Sequence, residues 1–119
     1  MTTSPLPELV FKVAAKAAFS EAADGVFAGM PIDAADRFIH LSTAVQLRET
    51  LRLHFAGQAD LVLIAVRTAD LGPALRWEPS RGGQLFPHLY ALLPLGAIAW
   101  TAPLAVAADG RVDLPEGVA

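Results

Sequence analysis

Two histidines in aromatic surroundings are the side chains of this sequence best suited to chemistry. His40 stands in Arg37 to Thr43 (RFIHLST) and His88 in Gln84 to Leu95 (QLFPHLYALLPL). Imidazole is the side chain best able to exchange a proton near neutral pH, so the pair suits general acid and base work. The alternative for each is a buried histidine anchored by a backbone carbonyl. Strand alternation puts Phe38, His40 and Ser42 on one face, where the Ser42 hydroxyl suits a phosphate or a ribose. Thr43 suits the same ligand, yet with Gln46 three places on it also fits a reciprocal capping box.

Glu78 is the carboxylate embedded among these motifs, and it either stabilises an oxocarbenium-like centre or pairs with Arg76 or Arg81. Arg76, Arg81 and the Gly82-Gly83 pair suit an anion clamp, since guanidinium matches bidentate oxygen contacts; a solvated loop is the alternative. Trp77, Phe86 and Tyr90 suit stacking on a base or nicotinamide ring, or simply core packing. His54 falls beside the apolar stripe of a helix and is expected at the domain margin, not as a ligand. Two histidines without a patterned carboxylate make a poor metal site, and no metal is expected.

These residues need strands and a helix to hold them. Phe38 to Ser42 has period two, and the stretch from Ala44 to about Phe55 has Leu47, Leu51 and Phe55 four apart, so a strand should lead directly into a helix. The N–H groups at that helix start suit a phosphate or carboxylate. Leu61 to Val66 is apolar on both alternations, as a central strand buried on both faces should be. Leu9 to Ala14 (LVFKVA) predicts a first strand with Lys12 facing as Val10 and Ala14 do. Ala15 to Ala23 predicts a helix, Val26 to Asp36 a connector, and Leu75 to Glu78 and Ile98 to Thr101 two later strands. After Ala107 a turn and a frayed tail are expected.

The 119 residues fit a single α+β domain with a core at about residues 8–113, and a 54% hydrophobic, 18% charged composition supplies that core amply. A net charge of −3 gives no electrostatic footprint for duplex nucleic acid or an anionic membrane. Leu89 to Ala108 is uncharged and long enough to span a bilayer. Pro94, Gly96 and Pro103 punctuate it, and two short strands explain the same residues, so no membrane association is expected. Without cysteines, disulfides and thiol chemistry are excluded. The opening MTTSPLPE lacks a secretory signal, and a cytoplasmic location is expected. Oligomeric state is not legible.

The order FIHLST, LVLIAV, LRWE, a glycine loop and LFPHLY resembles an uncharacterised, mostly bacterial family, domain-of-unknown-function family 952, over roughly Val10 to Val112. More distantly it resembles the ADP-ribosyltransferase-like fold, and the RNA 2′-phosphotransferases within it. That resemblance implies mixed β-sheets with one or two helices, and a nucleotide or other phosphorylated small molecule, of NAD or ADP-ribose type, bound between the FIHLST and LFPHLY strands. On it, Lys12 falls near where the phosphotransferases place a histidine, His40 and Ser42 match a His-Leu-Ser strand, and His88 takes the third pocket position. Lys12 is not histidine and LFPHLY carries no glutamate, so the implication for fold exceeds that for NAD chemistry. A non-catalytic ligand-binding or regulatory module, or a structural partner domain, is the alternative.

Overall fold

The apolar run Leu61 to Val66 forms the strand Leu61–Arg67 (β4), buried along its entire apolar length. It is flanked antiparallel by Leu9–Ala15 (β1) and Ile98–Leu104 (β8), so it is central in a three-stranded sheet. Both faces of β4 are covered, which is why neither alternation carries a polar residue. Residues 7–118 are described in this computed structural model, which places three α-helices and eight strands in an α+β arrangement.

On one face of this sheet, Phe11, Val13, Leu63 and Ala65 pack with Leu47 and Leu51 of the helix Ala44–His54 (α3). Leu47 and Leu51 are fully buried; each such side chain contributes about 2 kcal/mol through burial. The opposite face, with Val10, Val62, Ile64 and Val66, packs against Ile39 and Leu89. Those two residues belong to a second three-stranded sheet, in which Leu85–Leu89 (β6) lies between Ile39–His40 (β3) and Leu75–Pro79 (β5). A short pair, Val26–Phe27 (β2) with Leu93–Pro94 (β7), closes one end.

The helix expected from Ala44 to Phe55 is α3, with Phe55 as its C-cap donating its N–H to Leu51 O. The strand expected over Phe38 to Ser42 is shorter: only Ile39–His40 pairs with β6, and Ser42 switches to Phe11 of β1. The helix expected over Ala15 to Ala23 shrinks to Lys16–Ser20 (α1). Val26 to Asp36 is no mere connector, because it holds β2 and the helix Pro31–Asp36 (α2). Pro31, a breaker by residue type, occupies the first turn, where a missing N–H costs nothing. The one or two helices implied by resemblance are therefore three. Nor is the tail frayed through its apolar residues: Val118 is buried, and Val112 and Leu114 pack beside it on the α3 face. Among the described residues no helix is long and apolar enough to cross a membrane.

Candidate functional site

The two main sheets meet edge to edge at one pair of residues. Phe11 N–H donates to Ser42 O at 2.8 Å and Ser42 N–H donates to Phe11 O at 2.9 Å. Beside this junction lies a cleft of about 380 Å³, with Lys12 and Val13 from β1, His40 and Ser42 opposite, and Thr50 and His54 from α3. Phe86 and His88 of β6 add a further wall, and Ile32 of α2 contributes the edge. All three histidines of the sequence thus line one cleft. His54, expected at the domain margin only, is exposed on its helix but belongs to this wall.

His40 and His88 are cross-strand partners, with ring centroids 5.8 Å apart. Phe38 covers both, stacking on His88 at 4.1 Å and tilting onto His40 at 4.5 Å. Their polar partners differ. His40 places Nδ1 2.7 Å from Asp33 Oδ1 and Nε2 2.8 Å from Asp36 Oδ2, so each ring nitrogen meets a carboxylate of α2. A neutral imidazole donates through one nitrogen only; both contacts are satisfied together by the imidazolium. Among the described residues His88 instead uses Nδ1 alone, 2.8 Å from Glu78 Oε1, an oxygen that also accepts from the Tyr90 hydroxyl at 2.6 Å. With Nδ1–H donating to Glu78, the neutral ring carries its lone pair on Nε2. Glu78 is thereby held below its ordinary range, by the Tyr90 hydroxyl first and His88 second, while the same bond pushes Tyr90 up.

Asp33 is the hub on the other side. It is almost fully buried and accepts from Lys12 Nζ at 2.7 Å, Met30 N–H at 2.6 Å, and both His40 N–H at 2.9 Å and His40 Nδ1. Burial alone would raise its pKa; the His40 hydrogen bond and the Lys12 charge override that and hold it at about 2. Lys12 shifts downward because burial outweighs its attraction to Asp33.

The remaining candidates separate clearly. Ser42 is buried on the cleft wall and donates to Thr50 Oγ1 at 3.3 Å. Thr43 is the helix cap: its Oγ1 accepts from Gln46 N–H at 3.2 Å, and Gln46 Oε1 accepts from Thr43 N–H at 3.0 Å. Two of the N–H groups offered to an anion at this helix start are therefore already used. Phe86 is a cleft residue. Arg76 lies with its guanidinium over the Tyr90 ring at 4.8 Å, and neither lines the cleft; nor does Glu78, which backs His88. Trp77 faces the opposite side of its strand, beside a separate groove with Leu9 and Thr68. The Arg81 side chain lies outside the described residues.

Sequence reasoning misses Asp33 and Asp36, because a glycine, a proline and two aspartates spread along one segment look like a loop. Pro31 followed at short range by acidic residues is the signal available, being a pattern for a first helical turn. Among the described residues no group of three or more His, Asp or Glu side chains is placed to hold a metal ion.

No curated protein matches this sequence. Among solved structures, the crystal structure of protein CC0527 from Caulobacter crescentus is similar, with 44% identity, a TM-score of 0.85, and coverage of 92% of this chain and 97% of that one. The solution NMR structure of CC0527 is 46% identical, with a TM-score of 0.76 over 89% of this chain and 91% of that one. Residues 13–101, which carry β1 from Val13 through most of β8 and include both histidine strands, match the family described as protein of unknown function (DUF952), and the chain belongs to that family.

Proposed function

We propose that the cleft binds a phosphorylated small molecule of mononucleotide size, and that His88 exchanges a proton with it. The observation that carries this is the chemistry of the lining: among the described residues, Lys12, His40, His54 and His88 are its titratable side chains, and Ser42, Thr50 and Ser80 its hydroxyls. Asp33, Asp36 and Glu78 stand behind them, each tied to a basic partner. A wall of bases and hydroxyls with the carboxylates withdrawn suits an oxyanion and disfavours a cation. At about 380 Å³ the cleft is at the small end of ligand sites, which run from about 300 to 1,000 Å³, so a nucleoside monophosphate or one half of a dinucleotide fits better than a whole NAD. The likeness of the His-Leu-Ser strand and its following helix to the RNA 2′-phosphotransferases supports a nucleotide or ADP-ribose-type ligand and transferase chemistry. In that chemistry Glu78 orients His88 and does not itself reach the ligand.

A non-catalytic binding module is the second reading, favoured by one observation: both ring nitrogens of His40 are engaged within the protein, which leaves His88 without a free acid–base partner on the paired strand. Thermal unfolding with orthophosphate, ribose 5-phosphate, adenosine monophosphate, ADP-ribose and NAD tests both. A ligand at a hundredfold excess over its Kd stabilises by about 2.7 kcal/mol, and a shift lost in His88→Ala supports the cleft. Product formation, as released nicotinamide or transferred phosphate, selects the enzyme; a shift without product selects the module. Absence of any shift across the set refutes the reading.

A further inference from the structure

Asp33 sits where the ligand of such a cleft would want its oxyanion. Lys12 Nζ, His40 N–H and His40 Nδ1 converge on its two oxygens, all within 2.9 Å, and both Lys12 and His40 also border the cleft. We infer that these three donors form the phosphate subsite of the cleft, and that the Asp33 carboxylate is an internal stand-in which an incoming phosphate displaces. The inference rests on the reading of the cleft as an oxyanion site.

The attachment of α2 supports displacement. Asp33 is the only buried residue of this helix, whose apolar Ile32 is 59% exposed at the cleft edge. The helix is therefore held by carboxylate contacts and not by an apolar face. It enters from Gly29 at φ +93° and leaves through Arg37 in a left-handed conformation at φ 67°. Displacing Asp33 breaks the buried contacts that fix this segment, leaving the exposed Asp36–His40 contact and both hydrophobic clusters. A phosphate can take the same donors with more oxygens and more charge than a carboxylate, which supplies the differential affinity a displacement requires.

Gly29 gives an independent handle. A Cβ there would lie 2.5 Å from Asp33 Oδ2, so Gly29→Ala crowds the carboxylate out of its place without removing a donor. Because a ligand that must first displace a resident group binds more weakly by the fraction of molecules already open, Asp33→Asn and Gly29→Ala should each tighten adenosine monophosphate binding about tenfold. In the unsubstituted protein the same ligand should speed backbone hydrogen exchange across residues 31–37 while leaving β4 unchanged. The double variant Lys12→Met with Asp33→Asn, which removes the buried pair together and so avoids a lone buried charge, should fold and lose binding. If the unsubstituted protein binds and exchange at residues 31–37 is unchanged or slowed, the displacement inference is overturned while the cleft reading stands; so too if folded Asp33→Asn or Gly29→Ala binds no tighter. If neither the unsubstituted protein nor any variant binds a phosphorylated probe, both are overturned.

Discussion

His40 and His88 are directly opposed on paired strands, 5.8 Å between ring centroids, and both meet carboxylates, yet they are held in different ways. His40 is clamped by carboxylates on both nitrogens, whereas His88 is anchored through Nδ1 and backed by Glu78 and Tyr90. Two imidazoles that look equivalent in sequence are in this way divided between a ring tied at both nitrogens and a candidate proton carrier tied at one. Each half of that division can be measured without knowing the ligand.

The clamp on His40 should register as acid sensitivity. Asp33 is held at about 2 in the folded protein against an ordinary value of 3.8. A carboxylate depressed in the folded state stabilises above its unfolded pKa, and the stabilisation is lost as pH falls through the folded value. The window therefore runs from about pH 4 down to about pH 2, and the loss attributable to Asp33 is about 2 kcal/mol. Urea unfolding at steps through that window measures it. A pH dependence in Asp33→Asn as steep as in the unsubstituted protein would show that other carboxylates are responsible.

On α3 the apolar stripe and the opposite face should behave very differently. Leu47 and Leu51 are fully buried between helix and sheet, while Val45, two residues from Leu47, is 92% exposed. Leu47→Ala or Leu51→Ala should cost about 2–5 kcal/mol, and Val45→Ala less than about 0.5 kcal/mol. Chemical denaturation of the three variants tests whether the packing is as drawn.

This stripe, with period four, is also what makes α3 legible in the sequence, as the doubly apolar run Leu61 to Val66 does for β4. Both are single elements whose burial writes itself into local periodicity. The cleft is half legible for the same reason: strand alternation puts His40 and Ser42 on one face, and the pairing of β3 with β6 then brings His88 to them. Asp33 and Asp36 are hard to place from the sequence because the pattern after Pro31 gives at most a helix start, whereas their role depends on how that six-residue helix folds back onto His40 just after it and onto Lys12 of β1, distant along the chain. Trp77 follows the same alternation: with Leu75 it packs on the core side of β5, as its core-packing reading has it, while Arg76 and Glu78 take the side shared with His88 and Phe86.

Thr43 and Ser42, adjacent in sequence, should separate stability from binding. Thr43 caps α3 reciprocally with Gln46, and losing such a cap costs about 1 kcal/mol. Thr43→Ala should lower the melting temperature by about 4 °C and leave any phosphate response intact. Ser42→Ala should weaken that response, because its hydroxyl is on the cleft wall. Equal loss of binding in both variants would point to distortion of the strand-to-helix junction as the common cause.

Tyr90 offers the most direct view of the arrangement behind His88, because it is the only tyrosine in the sequence. Its hydroxyl donates to Glu78 Oε1 at 2.6 Å, the same oxygen that meets His88 Nδ1. Ionising Tyr90 would remove that donor and set a phenolate against the carboxylate, so the bond to Glu78 raises its pKa above the ordinary 10. A raised folded value means the bond's contribution is fully present below the unfolded pKa and is lost as pH rises through the folded one. Tyrosinate absorbance should therefore report a single titration displaced to the alkaline side. Glu78→Gln should move it back toward the ordinary value, since the amide has no charge to oppose ionisation. The same substitution should loosen the hold on the His88 ring, seen by nitrogen NMR as a loss of the predominant Nδ1–H tautomer. A titration unchanged by Glu78→Gln would mean that Glu78 does not contact Tyr90, and the orientation assigned to His88 would lose its support.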